Sequence, residues 1–182
     1  MVQTRVQTPF VRQKLRYLAS KPNRGDLELL KGMLEAGEIV VINQTGTADL
    51  DELSWDLAAT LVTLFESRGY LDQWEKTHRQ ALDAARRAGN IRGTAVLLGS
   101  LGTLHSSRRQ PRESREALEA ALVLFERLGD RHGLALCRRD LALLERQCGA
   151  DDEALRLYGL AIDDFGAVDD VVGRASVLTQ RA

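Results

Sequence analysis

The chain has 182 residues, a formal net charge of −1, 44% hydrophobic residues and 28% charged residues. This balance excludes a disordered polymer, and the near-neutral charge excludes the general attraction to phosphate on which nucleic-acid binding depends. No apolar run approaches the roughly 20 residues that cross a bilayer, and the first residues do not have the pattern of a secretion signal. Cys137 and Cys148 lie on one predicted helix roughly 16 Å apart, too far for a disulfide. The sequence therefore predicts a cytoplasmic protein that binds neither nucleic acid nor membranes.

Residues 1–48 form the first predicted segment and do not share the pattern that follows them. Five apolar side chains indicate a helix over 26–36: Leu27, Leu29, Leu30, Met33 and Leu34. The run Ile-Val-Val-Ile at 39–42 predicts a short β element near residues 38–43. The stretch FVRQKLRYLASKPNRGDLELLKGMLEAGEIVVINQT resembles the closing segment of medium-chain dehydrogenases of the quinone-reductase type. Because the dinucleotide-binding G-x-G-x-x-G of those enzymes is absent, the resemblance implies a fused remnant without dehydrogenase activity.

From residue 49 onward the sequence repeats itself every forty residues, a period typical of helical repeat proteins. Small residues and leucines recur at this spacing in one phase: Gly93, Gly133 and Gly173; Ala95, Ala135 and Ala175; Leu61, Leu101 and Leu141; Ala81, Ala121 and Ala161. Within one unit, Leu97, Leu101 and Leu104 follow the i, i+4, i+7 spacing of an amphipathic helix. A single helical hairpin cannot bury such a stripe alone, so neighbouring units must stack.

Glycines mark the ends of the predicted helices, and N-cap residues mark the starts. Gly129-Asp130 pairs a C-terminal glycine with an N-cap aspartate, and Gly89-Asn90 has the same form. These signals predict helices at 49–67, 71–88, 91–107, 111–128, 131–147, 151–167 and 171–181. Residues 49–182 are thereby divided into three hairpins and a capping helix: 49–88, 91–128, 131–167 and 171–181. We expect an all-α solenoid of antiparallel helix pairs.

The forty-residue unit resembles the tetratricopeptide repeat. Each leucine at 61, 101 and 141 is followed by a small or modest residue: Val62, Gly102 and Ala142. The alanine column at 81, 121 and 161 matches the position where the two helices of such a hairpin cross closely. The resemblance implies a right-handed superhelix with a concave groove.

More narrowly, residues 49–182 resemble the repeat region at the carboxyl end of bacterial STAND-type ATPase regulators. The phrases that carry this likeness include RGTAVLLGSLGTLH and EALEAALVLFERLGDRHGLAL. The resemblance implies a regulatory arm that senses a ligand or binds a partner. The chain contains neither the G-x-x-x-x-G-K-[ST] phosphate loop of those ATPases nor a DNA-binding helix-turn-helix, so the likeness extends to the repeat array alone.

The candidate binding positions lie on the first helix of each hairpin, on the face that lines the inner curve of a tetratricopeptide array. Aligned by the repeat, they are Asp56, Thr63 and Glu66, then Thr103 and Ser106, then Arg139, Leu143 and Arg146. Arg139 and Arg146 are two helical turns apart and could hold a carboxylate or a phosphate through bidentate hydrogen bonds. A solvated groove without a strong ligand is the alternative interpretation.

No motif for catalysis, a cofactor or a metal occurs in the sequence. H-E-x-x-H, C-x-x-C and G-x-S-x-G are all absent. His78 shares its column with Leu118 and Tyr158, which indicates a packed histidine, and Cys137 shares the column of Leu97, which indicates a core thiol. We expect no cofactor and no metal, and a catalytic site assembled only in space stays an alternative.

The leading interpretation is a non-catalytic, regulatory module that holds a peptide or protein partner in the concave groove. The first alternative is a small-molecule-binding or enzymatic protein of a bacterial secondary-metabolite pathway, which would use a pocket in the helical array. The second alternative is a structural homodimer joined through the last helix, whose apolar residues include Val171 and Leu178.

Overall fold

A computed structural model of the chain describes residues 55–56, 58–59 and 61–181. These residues form the helices α1 Val62–Arg68, α2 Leu71–Arg87, α3 Ile91–Ser107, α4 Pro111–Leu128, α5 Arg131–Gln147, α6 Asp151–Ala167 and α7 Val171–Arg181. Residues 55–56 and 58–59, ahead of α1, are helical as well, and no strand occurs in the described ranges. The segment 1–48, with its predicted helix, its β element near 38–43 and its likeness to dehydrogenases, lies outside the described residues.

The prediction of an all-α fold of antiparallel helix pairs is confirmed for the described residues. From α2 onward every helix begins at the predicted residue, and only the end of α2 differs, by one residue, at Arg87. The first predicted helix ends at Arg68, also one residue from its expected end.

The described residues fall into two compact units, divided between Asn90 and Ile91. The first unit contains the hairpin α1–α2, and the second contains the hairpins α3–α4 and α5–α6 followed by α7. In the second unit each helix packs on the next one in the sequence, and α3 also contacts α5. The right-handed superhelix and the division of the chain at residue 48 stay predictions.

All six turns between these helices use the same C-terminal cap, repeated every twenty residues. At the α4–α5 turn, the N–H of Asp130 donates to the carbonyl of Phe125 at 3.0 Å, and the N–H of Gly129 donates to the last turn of α4 at 3.1 Å. This pair of hydrogen bonds is the Schellman motif, which places one residue in the left-handed region. Glycine holds that position in four turns, whereas Arg109 (φ +58°) and Asp169 (φ +56°) hold it in the other two.

The apolar columns of the repeat form the core, as predicted. The leucine column is buried throughout: Leu61, Leu101 and Leu141. The two helices of a hairpin approach closely, because a Cβ at Gly102 would lie 2.5 Å from Leu118 Cγ, and Ser114 Oγ donates to the Gly102 carbonyl at 2.8 Å. The alanine column at these crossings is almost completely buried: Ala81, Ala121 and Ala161.

Candidate binding surface

The three candidate residues of the first unit differ in accessibility. Asp56 lies in the helical residues ahead of α1 and is buried, whereas Thr63 and Glu66 are exposed on α1. A buried carboxylate contributes little to an open binding face, so Thr63 and Glu66 are the accessible candidates on this unit.

The five candidates of the second unit lie on two neighbouring helices. Thr103 and Ser106 belong to α3, and Arg139, Leu143 and Arg146 belong to α5. Four of them are half-buried, and Arg146 is exposed. A direct hydrogen bond joins the two helices at this face, because Thr103 Oγ1 donates to Asp140 Oδ2 at 2.9 Å. We call the face around this bond the α3–α5 face and define it by Thr103, Ser106, Arg139, Asp140, Leu143 and Arg146.

A three-residue polar network organises this face. Arg139 Nε donates to Asp140 Oδ1 at 2.8 Å, and Arg139 Nη2 lies 2.7 Å from the same oxygen. The second carboxylate oxygen of Asp140 accepts the Thr103 hydroxyl, which also lies 3.2 Å from the carbonyl oxygen of Gly99. Asp140 therefore offsets the charge of Arg139 and fixes the direction of its guanidinium, whose other N–H groups remain as donors.

Arg146 has a different partner from Arg139. Its guanidinium donates to the backbone carbonyl of Gln180 on α7 and so links α5 to the last helix. The sequence places Arg139 and Arg146 on one face, but each side chain binds a different neighbour. Arg139 interacts beside α3, and Arg146 interacts with α7. A shared ligand for both would have to replace or extend these hydrogen bonds.

Sequence reasoning missed the charged networks around Asp140 and Asp164. Asp140 follows Arg139 directly and was not among the candidate residues. In the forty-residue register it occupies the same position as Ser100 and Gln180. Asp164 of α6 is buried and accepts from Arg131 at 3.0 Å and from Arg138, both on α5. The sequence does carry a signal for this second network. Asp164 occupies the repeat position at which the preceding hairpin has an apolar residue, Leu124.

A cleft borders the α3–α5 face where α3, α4 and α5 meet. Its volume is about 540 Å³, and it is lined by Ser106, Ser107, Arg109, Gln110, Pro111, Leu144, Gln147 and Cys148. His105 is buried at the last turn of α3, and its Nδ1 lies 2.8 Å from Gln110 Oε1. This contact holds the side-chain amide of Gln110 at the edge of the cleft. The wall combines apolar surface with hydroxyl, amide and guanidinium groups, the mixture that small-molecule sites use.

The buried titratable groups agree with the structural roles predicted for them. Burial lowers the pKa of His78 to about 3, so the ring is neutral near pH 7, and it packs edge-on against Phe65 and Trp74. Burial raises the pKa of the Cys137 thiol to about 12, which keeps it protonated and unreactive. Cys148 is exposed. No group of three metal-ligating side chains occurs among residues 55–56, 58–59 and 61–181.

No helix of the described residues is long and apolar enough to cross a lipid bilayer.

Comparison with known proteins finds likenesses among solved structures. No protein-family model matches the sequence, and no curated protein matches it. Among solved structures, the chain is similar to BtubC (BKLC) from P. vanneervenii, with a TM-score of 0.70 and 14% sequence identity. The match covers 96% of this chain and 79% of that chain. Because BtubC has a TPR-like, kinesin-light-chain-like helical repeat fold, the likeness shows that this chain has the fold of a TPR-like array.

Proposed function

We propose that this chain is a non-catalytic interaction module that holds an extended peptide segment of a partner protein on the α3–α5 face. The observation that carries the proposal is the network of Thr103, Asp140 and Arg139, which orients a guanidinium on an accessible surface of a TPR-like array. Helical arrays of this kind use their side chains for binding, because the backbone groups of the helices are already paired within each helix.

The chemistry of the face favours a peptide with an acidic side chain or a free carboxylate. The N–H groups of Arg139 that do not bind Asp140 can donate to a second carboxylate, and such charge-assisted hydrogen bonds are roughly twice as strong as neutral ones. Leu143 supplies apolar surface one helical turn further along α5, and Ser106 supplies a hydroxyl on α3. A preorganised guanidinium needs little ordering when the ligand binds, which favours affinity. Thr63, Glu66 and the buried Asp56 stay separate predictions for the first unit.

The role that we propose for this binding is regulatory. The repeat region resembles the arms of bacterial STAND-type ATPase regulators, and an array without a phosphate loop would act by binding rather than by hydrolysis. In this hypothesis the chain changes the activity of a partner by occupying an acidic segment of it.

Peptide binding tests the proposal directly. An array of overlapping acidic peptides selects a probe, and fluorescence polarisation of the labelled probe measures its dissociation constant for the whole chain. We expect Arg139→Ala to weaken binding about tenfold, which corresponds to about 1.4 kcal/mol, and Arg139→Lys to recover it only in part, because lysine has no planar fork.

A matched control uses an arginine on a different face. Arg156 of α6 is exposed and pairs with Glu153 on its own helix at 2.6 Å, so Arg156→Ala removes the same charge without touching α3 or α5. The proposal predicts unchanged binding for this variant. Failure of all acidic peptides to bind, or equal losses in Arg139→Ala and Arg156→Ala, would exclude the α3–α5 face as a specific site.

The cleft beside the face supports a second candidate function, the binding of a small molecule. Its volume and mixed lining suit a metabolite-sized ligand, and a sensory or enzymatic role in a bacterial secondary-metabolite pathway would use it. Thermal-shift screening with a metabolite library tests this candidate, since a ligand that binds only the folded state raises the melting temperature in a saturable way. Ser106→Trp, which fills the cleft, should abolish the shift, whereas Ser176→Trp on α7 should not.

A further inference from the structure

The turn between α3 and α4 brings two hydrogen-bonding side chains to the cleft where α3, α4 and α5 meet. Arg109 and Gln110 are neighbours in this turn, and both line the cleft. Within the part of the chain that the structure describes, the Arg109 guanidinium has neither an ion pair nor a side-chain hydrogen bond. A cationic donor group is therefore available to a ligand at this edge of the cleft.

The amide of Gln110 is oriented so that its NH2 group is available as well. Its Oε1 lies 2.8 Å from Nδ1 of His105, which is buried at the last turn of α3. Because an amide oxygen only accepts, the imidazole is the donor in this hydrogen bond. The NH2 group of Gln110 has no partner among the described residues, and it adds its donors to those of Arg109. This wall of the cleft thus suits a ligand rich in acceptors.

The charges around the cleft favour an anion. No carboxylate occurs among the described residues that line it, so Arg109 is their only side chain with a permanent charge. The next two arginines along the chain already have acidic partners. Arg112 lies 3.8 Å from Glu116, and Arg115 pairs with the buried Glu145 of α5. The positive charge of Arg109 is therefore the one that a ligand in the cleft would meet.

The helix ends at the cleft do not reverse this preference. Both α3 and α5 end there, and the carbonyl oxygens of a helix C-terminus repel an anion. In this chain the caps occupy such carbonyls, because that of His105 accepts from the N–H of Gln110 at 2.9 Å and that of Glu145 accepts from the N–H of Ala150 at 2.9 Å. Helix α4 begins at Pro111, which also lines the cleft, and its N-terminus adds partial positive charge.

We infer that the cleft binds a small monocarboxylate, an inference that rests on the small-molecule function proposed above. The two carboxylate oxygens match the planar fork of Arg109, and the Gln110 amide can donate a further hydrogen bond. A single guanidinium offsets one negative charge, whereas a phosphate monoester carries about −1.5 to −2 charges at neutral pH. Leu144 and Pro111 supply the apolar part of the lining, on which the hydrocarbon part of the acid packs.

Cys148 reports directly whether the cleft is occupied. It is exposed and lines the cleft, whereas Cys137, the other cysteine of the chain, is buried. The experiment measures the rate at which N-ethylmaleimide, an uncharged reagent, modifies Cys148 in the whole chain. The probes are aliphatic, aromatic and indole monocarboxylates such as octanoate, phenylacetate and indoleacetate, each paired with its uncharged primary amide. We expect at least one acid to slow the modification in a saturable way, and the matching amide to leave it unchanged.

Two arginine variants test the contact. Arg109→Gly should weaken binding of the protecting acid by at least about tenfold, the loss expected for hydrogen bonds to a charged group. The fold is kept, because glycine holds the equivalent left-handed position in four of the six turns. Arg127→Ala removes the same charge from an exposed position in the last turn of α4 and should leave protection unchanged.

The outcomes separate this inference from the function on which it rests. Equal protection by an acid and its amide, or equal losses in Arg109→Gly and Arg127→Ala, would overturn the inference. Protection by uncharged metabolites but by no acid would overturn it too, while the small-molecule function would stand. Protection by neither kind of compound would exclude both.

Discussion

Gly133 of α5 lies so close to Phe125 of α4 that a Cβ atom on the glycine would overlap the aromatic ring. The same relationship recurs forty residues later between Gly173 and Phe165. At these two repeat positions the glycine leaves room for an aromatic side chain of the preceding helix.

Replacement of Gly133 by alanine should therefore destabilise the protein. In an open helical position, Gly→Ala stabilises by up to about 1 kcal/mol, but overpacking against a buried ring costs about 1–3 kcal/mol. The control is Gly159→Ala on α6, where nothing lies within 4 Å of the added Cβ and stabilisation is expected. Urea unfolding of the two variants measures the difference, and a gain of stability in both would contradict the steric interpretation.

The buried carboxylate of Asp164 predicts a second stability effect. Asp164→Ala removes the carboxylate that Arg131 and Arg138 share; because the Arg131 side chain is 59% exposed and Arg138 also lies 3.7 Å from Glu126, the expected loss is about 1–3 kcal/mol. The neighbouring Asp163 is exposed, so Asp163→Ala should change the free energy of unfolding by less than about 0.5 kcal/mol.

The preceding hairpin shows how the loss at Asp164 can be restored. At the positions that correspond to Arg131, Arg138 and Asp164, it has apolar residues: Ile91, Leu98 and Leu124. The triple variant Arg131→Ile, Arg138→Leu and Asp164→Leu should therefore approach native stability, because well-packed apolar residues often replace a buried ion pair without loss. A triple variant no more stable than Asp164→Ala in chemical unfolding would argue against equivalent packing in the two hairpins.

His78 makes the stability of the first unit depend on pH. Its pKa is about 3 in the folded state and about 6.5 in an unfolded chain, so below about pH 6.5 the unfolded state binds a proton that the folded state does not. Its contribution to stability is therefore complete above that pH and is lost as the pH falls toward 3, with a slope of up to about 1.4 kcal/mol per pH unit.

The substitution His78→Leu should remove this part of the pH dependence, since leucine holds the same position in the next repeat, at Leu118. Tryptophan fluorescence monitors the relevant unit, because both tryptophans of the chain, Trp55 and Trp74, belong to it. Denaturant unfolding at several pH values between 4 and 7 gives the slope for each protein. Parallel slopes for the native chain and the variant would show that the burial of His78 does not govern acid sensitivity.

The turn at Arg109 predicts a stabilising substitution. A non-glycine residue at φ +58° is strained by roughly 1 kcal/mol, so Arg109→Gly should raise the melting temperature. The reverse change, Gly129→Ala at φ +62° in the equivalent turn, should lower it by a similar amount. Because the Arg109 side chain also lines the cleft, loss of the thermal-shift response to a metabolite in this variant would indicate that the guanidinium takes part in binding.

The helices from Leu71 onward could be predicted from the sequence because their boundaries depend on local rules. Gly69, Gly89, Gly129 and Gly149 mark four of the six left-handed caps, and the twenty-residue period locates the other two even though Arg109 and Asp169 give no glycine signal. Apolar spacing then identifies which face is buried, as the leucine column showed.

The polar contacts of the candidate surface could not be predicted in the same way. Arg139 binds Asp140, its sequence neighbour, and this pairing depends on side-chain rotamers and on the hydroxyl that Thr103 brings from another helix. The interaction of Arg146 with Gln180 likewise depends on where α7 packs. Spacing along one helix shows which residues share a face, but partners on neighbouring helices decide which of them remain available to a ligand.

The shared turn at twenty-residue spacing makes the second unit a modular structure that can change length by duplication. A second copy of residues 131–170, inserted after Asp170, would present an aromatic ring to a glycine at each new junction, as Phe125 does to Gly133 and Phe165 to Gly173. Each added hairpin would pack against helices of the same kind as its present neighbours. Such a chain can therefore evolve longer or shorter arrays by recombination within the gene, without redesign of any helix.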